Sequence, residues 1–329
     1  MSFSIYIRFR LFISKLKTPT LIYYLHRKLF YLSNGKSNDL ATSVIKIVSP
    51  KNPEIASVAV PYSSLTAKDI AERVNTDGYF QFEKPLDNET IARIIDFAMN
   101  EKLEIIKSYE TTFKDDRKVS FSEIENLNSP RFDYDPSNLC KSEDVMNLVF
   151  ERSFCNIAQE YFGSLPVMDP HSMWWSKPCD NKELQKQAAQ LFHYDMDRIK
   201  FLKFFFYMTD VTAENGPHCF VRGSHKNLNS SLRRDGRFED SEVENAYGKE
   251  AIVNFCAPKG TIIAVDTRGL HKGLPLKSGN RLILQLMYAN STFGQYYPAI
   301  KFQHCVSSKL ILQKIHQHPL IFGPVFQLK

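Results

Sequence analysis

At 329 residues, with 43% hydrophobic and 24% charged side chains, the chain has the composition of a folded globular protein with a large core, which excludes disorder as its dominant state. Six scattered cysteines (Cys140, Cys155, Cys179, Cys219, Cys256, Cys305) form no CxxC pair, so neither a disulfide framework nor a zinc site is expected, and a reducing, cytoplasmic setting fits them. The net charge of +6 sits almost wholly in the first 36 residues, where Arg8, Arg10, Lys15, Lys17, Arg27, Lys28 and Lys36 precede any acid; the remainder carries about −1 and offers nucleic acid no general electrostatic attraction.

Residues 1–36 form a basic, aromatic-rich segment. Charges break its apolar runs well short of the roughly 20 residues that span a bilayer, and it lacks the pattern of an export signal. Thr18 as N-cap, Pro19 at the first helical position and the stripe Leu21, Ile22, Leu25, Leu29, Leu32 predict a short amphipathic helix. Packing of that stripe on the main domain is expected, with weak peripheral membrane contact as the alternative. Residues 37–64, punctuated by Pro50, Pro53 and Pro61, read as an extended linker, and 65–329 as the main domain. There, Ala67–Val74 reads as a helix and Asp77-Gly78 as a turn into a strand over Tyr79–Phe82. Asp87 or Asn88 caps a helix striped by Ile91, Ile94, Ile95 and Ala98, and a further helix is expected over Ser142–Phe162, stopped by Gly163. Beyond it the period becomes that of strands, around Met168–Ser176, Lys200–Thr209, Gly260–Asp266 and Arg281–Tyr288. Helices followed by antiparallel strands predict an α+β, mainly β fold: a double-stranded β-helix (jelly roll, cupin-like) core with flanking helices.

Within the strands, His193-Tyr194-Asp195 puts an imidazole and a carboxylate on one face of an extended segment, converging on one point. Alone, an HxD is often just a surface histidine beside an acid. His271, 78 residues on in a glycine-bracketed turn at a strand end, completes a set of two imidazoles and one carboxylate, the facial triad that suits Fe(II). Arg281 opens a strand whose alternation turns Leu282, Leu284 and Leu286 toward helices, and Arg281, Ile283 and Gln285 toward the interior. An inward arginine needs an anion, and its planar fork suits a carboxylate.

These pieces occur in order with Asp77-Gly78-Tyr79, Met173-Trp174-Trp175-Ser176-Lys177-Pro178, Asp210 to Pro217, and Arg222-Gly223-Ser224-His225-Lys226. Over roughly residues 65 to 295 the pattern resembles the phytanoyl-CoA dioxygenase family of Fe(II)/2-oxoglutarate oxygenases. The resemblance implies that His193, Asp195 and His271 are catalytic metal ligands, that Arg281 binds 2-oxoglutarate, and that Lys177 helps to hold it. It also implies O₂-dependent hydroxylation of a small organic substrate, an acyl-CoA or a biosynthetic metabolite, with release of succinate and CO₂. Asp195 argues against halogenation, since related halogenases carry a small residue there. Nucleic-acid demethylases of similar pattern carry a second arginine six residues after the first, where this chain has Met287. A non-catalytic jelly-roll binding protein derived from the family is the alternative of another class. His218 and His225 are expected to be structural. Trp174, Trp175, Phe204, Phe206 and Tyr207 are expected chiefly to pack the core, and Lys200 and Lys203 are candidates for cations at a pocket mouth.

Overall fold

A computed structural model describes residues 16–56, 58–105, 117–302 and 305–327. The first described elements are α1 (Thr20–Leu32) and α2 (Lys36–Val48), joined by a turn at Asn34-Gly35. Next come α3 (Ala67–Asp77), β1 (Tyr79–Gln81), α4 (Asn88–Asn100) and the short strands β2 (Leu103–Ile105), β3 (Lys118–Val119) and β4 (Arg131–Asp133). Then α5 (Glu143–Val149) and α6 (Arg152–Phe162) lead into β5 (Val167–Ser176) and β6 (Phe201–Tyr207). Beyond them lie β7 (His218–Val221), α7 (Asp240–Tyr247), β8 (Ile252–Asn254), β9 (Ile262–Val265), β10 (His271–Gly273), β11 (Arg281–Ala289) and α8 (Ser308–Gln317).

The strands form a large sheet in the order β1-β9-β6-β11-β5-β4-β2-β3 and a small one, β10-β7-β8, all pairs antiparallel. Strand parity decides which side chains enter the space between the sheets. From the large sheet, Trp174, Phe205, Tyr207, Ile263, Val265 and Ile283 meet Phe220 and Phe255 there. The alternate residues, among them Trp175, Leu202, Phe204, Phe206, Leu282, Leu284 and Leu286, form the largest core, against α3, α4 and α6. This is the expected jelly-roll core with flanking helices.

The cap expected at Asp87 is present, and α3 carries one that the sequence reading did not name. Thr66 and Asp69 form a reciprocal capping box at α3, and the Asp87 side chain accepts from the Thr90 amide at α4. Three expectations differ. The helix expected over Ser142–Phe162 is two helices, because the chain turns at Phe150-Glu151: Phe150 packs against Phe322 and Phe326, and the Glu151 carboxylate caps α6 at the Ser153 amide. The N-terminal helix starts at Thr20, since the Thr18 hydroxyl accepts from the Gly294 amide, and its buried residues are Phe30 and Tyr31, while the stripe Leu21, Ile22, Leu25, Leu29, Leu32 is exposed. Residues 37–64 are not an extended linker. They contain α2 and a helical turn at Pro53–Ala56, and α2 is held by polar anchors: Asn38 donates to the Ile199 carbonyl and Asn290 donates to the Thr42 hydroxyl. Arg8, Arg10 and Lys15 lie outside the described residues. No helix among the described residues is long and apolar enough to cross a membrane.

Candidate metal and cosubstrate site

His193 and His271 face each other across a two-bond antiparallel bridge. The His193 amide donates to the His271 carbonyl at 3.0 Å, and the reverse bond measures 3.1 Å. One step on, the Asp195 amide donates to the Thr267 carbonyl at 2.9 Å, so the HxD segment is extended against the turn that carries His271. Parity then works as the spacing predicts. The two rings lie 4.3 Å apart between centroids, and Asp195 closes the triangle, its Oδ1 3.4 Å from His193 Nε2 and its Oδ2 3.3 Å from His271 Nε2. One ligand atom from each residue lies within 4.8 Å of the others. Tyr194, between His193 and Asp195, points the opposite way, toward Phe238 and Tyr31.

The turn before His271 is held from several sides. Arg268 grips Asp266 with Nε and Nη2, and the Tyr161 hydroxyl donates to the same carboxylate. Burial pushes the Asp266 carboxyl up, but the Arg268 guanidinium outweighs it and brings it down to about 2. A Cβ on Gly269 would stand 2.6 Å from Phe220 and 2.8 Å from Ser224 Oγ, so close approach requires glycine there. Ser224 then accepts from the Leu270 amide. Gly78, at φ +93°, gives its carbonyl to the Asp266 amide, while Asp77 accepts from the Gly223 amide. The stretches Asp77-Gly78 and Gly223-Ser224-His225 thus brace the His271 turn, and His225 bonds the Asn75 carbonyl away from the ligands.

Each histidine presents one nitrogen to the centre. His193 Nδ1 donates to the Leu191 carbonyl at 2.8 Å and His271 Nδ1 to the Gly269 carbonyl at 3.0 Å, which leaves Nε2 on each ring as a lone-pair donor. Burial, with His271 alongside, holds the His193 imidazole neutral, pushed down to about 4. Burial alone would raise the Asp195 carboxyl, yet the Lys203 ammonium and the His271 ring together hold it well below the usual range. Lys203 donates to Asp195 Oδ2 at 2.7 Å and lies 3.1 Å from Asp197. Its engagement of Oδ2 leaves Oδ1 as the oxygen for an ion. Lys203 therefore fixes the Asp195 carboxylate rather than standing at a pocket mouth. The sequence carried a signal for this: in Phe201-Leu202-Lys203-Phe204-Phe205 the lysine has inward parity, and a buried ammonium needs a carboxylate. Lys200 lies on the other side of the sheet, donating to the Tyr161 carbonyl of α6.

Arg281 enters the same interior from the start of β11, 4% exposed. Its Nη2 reaches Ser176 Oγ at 3.4 Å, while Nε and Nη1 have no partner. Among the described residues no carboxylate pairs with it, and burial pushes it down to about 10. A buried fork with two unsatisfied donors is costly unless an anion completes it. His218 is the residue whose structural reading underestimates its place. Its ring packs 4.7 Å from Phe205 and 5.7 Å from His271 between centroids, and its Nε2 is buried without a partner.

Lys177 is not brought to this centre. Its ammonium donates to the carbonyls of Ile124, Glu125 and Leu127 at 3.1, 2.8 and 3.0 Å, tying off the 3₁₀ turn Phe121–Asn126. All three protons are used. Lys177→Met is expected to cost about 2–4 kcal/mol of stability, as buried carbonyls lose a charged donor, with the 2-oxoglutarate KM unchanged. Urea denaturation and KM, measured side by side, check this; a raised KM at undiminished stability contradicts it.

The donor set, two imidazoles and one carboxylate, fits Fe(II). The unpaired Arg281 fits a dicarboxylate cosubstrate. Residues 74–282 match the family model described as Phytanoyl-CoA dioxygenase. Similar solved structures include SnoK, a non-heme alpha ketoglutarate dependent carbocyclase from nogalamycin biosynthesis (17% identity, 70% of this chain and 87% of that one, TM-score 0.48). EctD from S. alaskensis with bound Fe is another (16%, 76% and 88%, 0.45), as is HygX from Streptomyces hygroscopicus with nickel and 2-oxoglutarate bound (12%, 75% and 94%, 0.47). No curated protein sequence matches significantly.

Proposed function

Because the chain belongs to the phytanoyl-CoA dioxygenase family and is a non-haem iron, 2-oxoglutarate-dependent oxygenase, we propose that it hydroxylates a C–H bond of a small organic substrate, an acyl-CoA or a biosynthetic intermediate. One observation carries catalysis over a non-catalytic binding role: the buried Arg281 guanidinium, with two unsatisfied donors, shares an interior with the complete ligand set. A protein that had lost the cosubstrate would gain stability by replacing that arginine with an apolar residue. Asp195 as the third ligand supports hydroxylation over halogenation. Met287, buried beside Phe201 and Ala289, and a main domain of about −1 charge speak against nucleic-acid substrates.

His193 and His271 would hold the metal through Nε2 and Asp195 through Oδ1, with Lys203 fixing the carboxylate. Arg281 and Ser176 would bind one carboxylate of 2-oxoglutarate, and the unpartnered His218 Nε2 would give the cosubstrate a further hydrogen bond. Trp174, Phe205, Phe220, Val265 and Ile283 would exclude water from the reacting centre. The bound iron and cosubstrate supply oxidative decarboxylation: one oxygen atom of O₂ enters succinate, the other enters the substrate as a hydroxyl, and CO₂ leaves. The test is mass spectrometry of a cell extract given to anaerobic protein loaded with Fe(II) and 2-oxoglutarate, followed by O₂. A metabolite that gains one oxygen atom in step with succinate supports the reading. Succinate without any oxygenated metabolite, across polar and acyl-CoA fractions, counts against it.

A further inference from the structure

Fourteen large hydrophobic side chains are exposed among the described residues, and eleven of them lie between residues 16 and 48. On α1 they include Leu21, Leu25, Leu29 and Leu32, the last 80% exposed; on α2 they include Leu40 and Ile47, the latter 81% exposed. The two helices are mounted the wrong way round for a surface of a globular protein. In α1 the inner side is made by Tyr23, whose hydroxyl donates to the Met196 carbonyl, by Arg27 paired with Asp235, and by Phe30 and Tyr31. In α2 it is made by Asn38 and Thr42. Asn38 and Tyr23 both anchor to the segment 196–199, so the outward faces of both helices look away from the same stretch of chain.

Polar anchors inside and aliphatic residues outside concentrate an apolar surface that water penalises, and such a surface marks an interaction site. Charge identifies the occupant. Lys17, Lys28, Lys36 and Lys46 stand at the ends and flanks of these helices, Asp39 is the one acid of residues 16–48, and the preceding sequence adds Arg8, Arg10 and Lys15 without an acid. Two copies of this surface would bring like charges together, whereas an anionic bilayer accepts both the aliphatic side chains and the lysines.

We propose that α1 and α2 form an in-plane docking surface for membranes rich in anionic lipid. Docking there holds the ligand-bearing segment beside the bilayer, since Tyr31 of α1 packs on Tyr194, between His193 and Asp195. The inference stands on exposure and charge and does not depend on the substrate class proposed above.

The experiment is co-sedimentation of the full chain with vesicles of phosphatidylcholine alone or of phosphatidylcholine mixed with phosphatidylglycerol. The protein is expected to pellet with the mixed vesicles, to be released as salt rises, and to stay in solution with phosphatidylcholine alone. Leu29→Ser with Ile47→Ser, both exposed, is expected to weaken binding by about tenfold or more at unchanged 2-oxoglutarate binding. Lys28→Glu with Lys36→Glu is expected to remove the preference for anionic vesicles. Protein that stays in solution with both vesicle types overturns the proposal. So does a dimer in sedimentation equilibrium that the serine variants dissociate, which would assign the surface to a second copy.

Discussion

Arg281→Leu is expected to raise the KM for 2-oxoglutarate by about 100- to 1000-fold, because two charge-assisted hydrogen bonds to a carboxylate are lost together. The same variant is expected to be at least as stable as the parent without cosubstrate. In the parent, β11 buries a guanidinium whose Nε and Nη1 bond nothing, and leucine relieves that penalty. Cosubstrate should therefore raise the melting temperature of the parent and leave that of Arg281→Leu unmoved. Thermal melts with and without 2-oxoglutarate read both effects. A variant that is destabilised, yet binds 2-oxoglutarate normally, would make Arg281 a structural residue and remove it from the site.

Asp195→Ala is expected to abolish iron retention and, with it, turnover. The carboxylate would be the one anionic ligand, and its loss also leaves Lys203, among the described residues, with Asp197 as its one carboxylate partner. Stability is expected to fall by up to about 3–5 kcal/mol, the range for breaking a buried ion pair from one side. Lys203→Met separates the two consequences: the ligand set stays, its orientation loosens, and iron affinity is expected to drop about 10- to 100-fold with activity regained at high iron. Iron content after gel filtration, together with urea denaturation of both variants, checks the pair. Full iron occupancy in Asp195→Ala would mean that the ion sits elsewhere.

The parts of the fold legible in the sequence are those where one physical signal dominates. Val167–Ser176, Phe201–Tyr207, Ile262–Val265 and Arg281–Ala289 are long apolar or alternating runs that line the interior, and their bounds shift by only a residue or two from expectation. His193, Asp195, His271 and Arg281 stand out in the sequence because charged or imidazole side chains at inward parity have few stable uses. Where signals conflict, the reading failed. α2 hides from a search for apolar stripes because its inner positions are Asn38 and Thr42 and its aliphatic residues face out. The same logic turns the α1 stripe toward the core, while the aromatic residues Phe30 and Tyr31 do the packing. The short strands β7, β8 and β10 carry mixed residues over three or four positions, too few for a period, and depend on one another for pairing. Lys177 and Lys203 show the limit for single residues. Residue type alone does not separate them: Lys177 follows β5 at the parity of Trp175, on the helix side, where it meets carbonyls, whereas Lys203 has the inward parity of Phe205 and meets carboxylates.

The measurement that bears most directly on the central claim is succinate formation by the purified chain with Fe(II), 2-oxoglutarate and O₂ in the absence of any added substrate. Slow succinate and CO₂ release in equal amounts, abolished by chelation of iron and by Asp195→Ala, is the predicted result. A protein that binds neither iron nor 2-oxoglutarate, and forms no succinate, would contradict it.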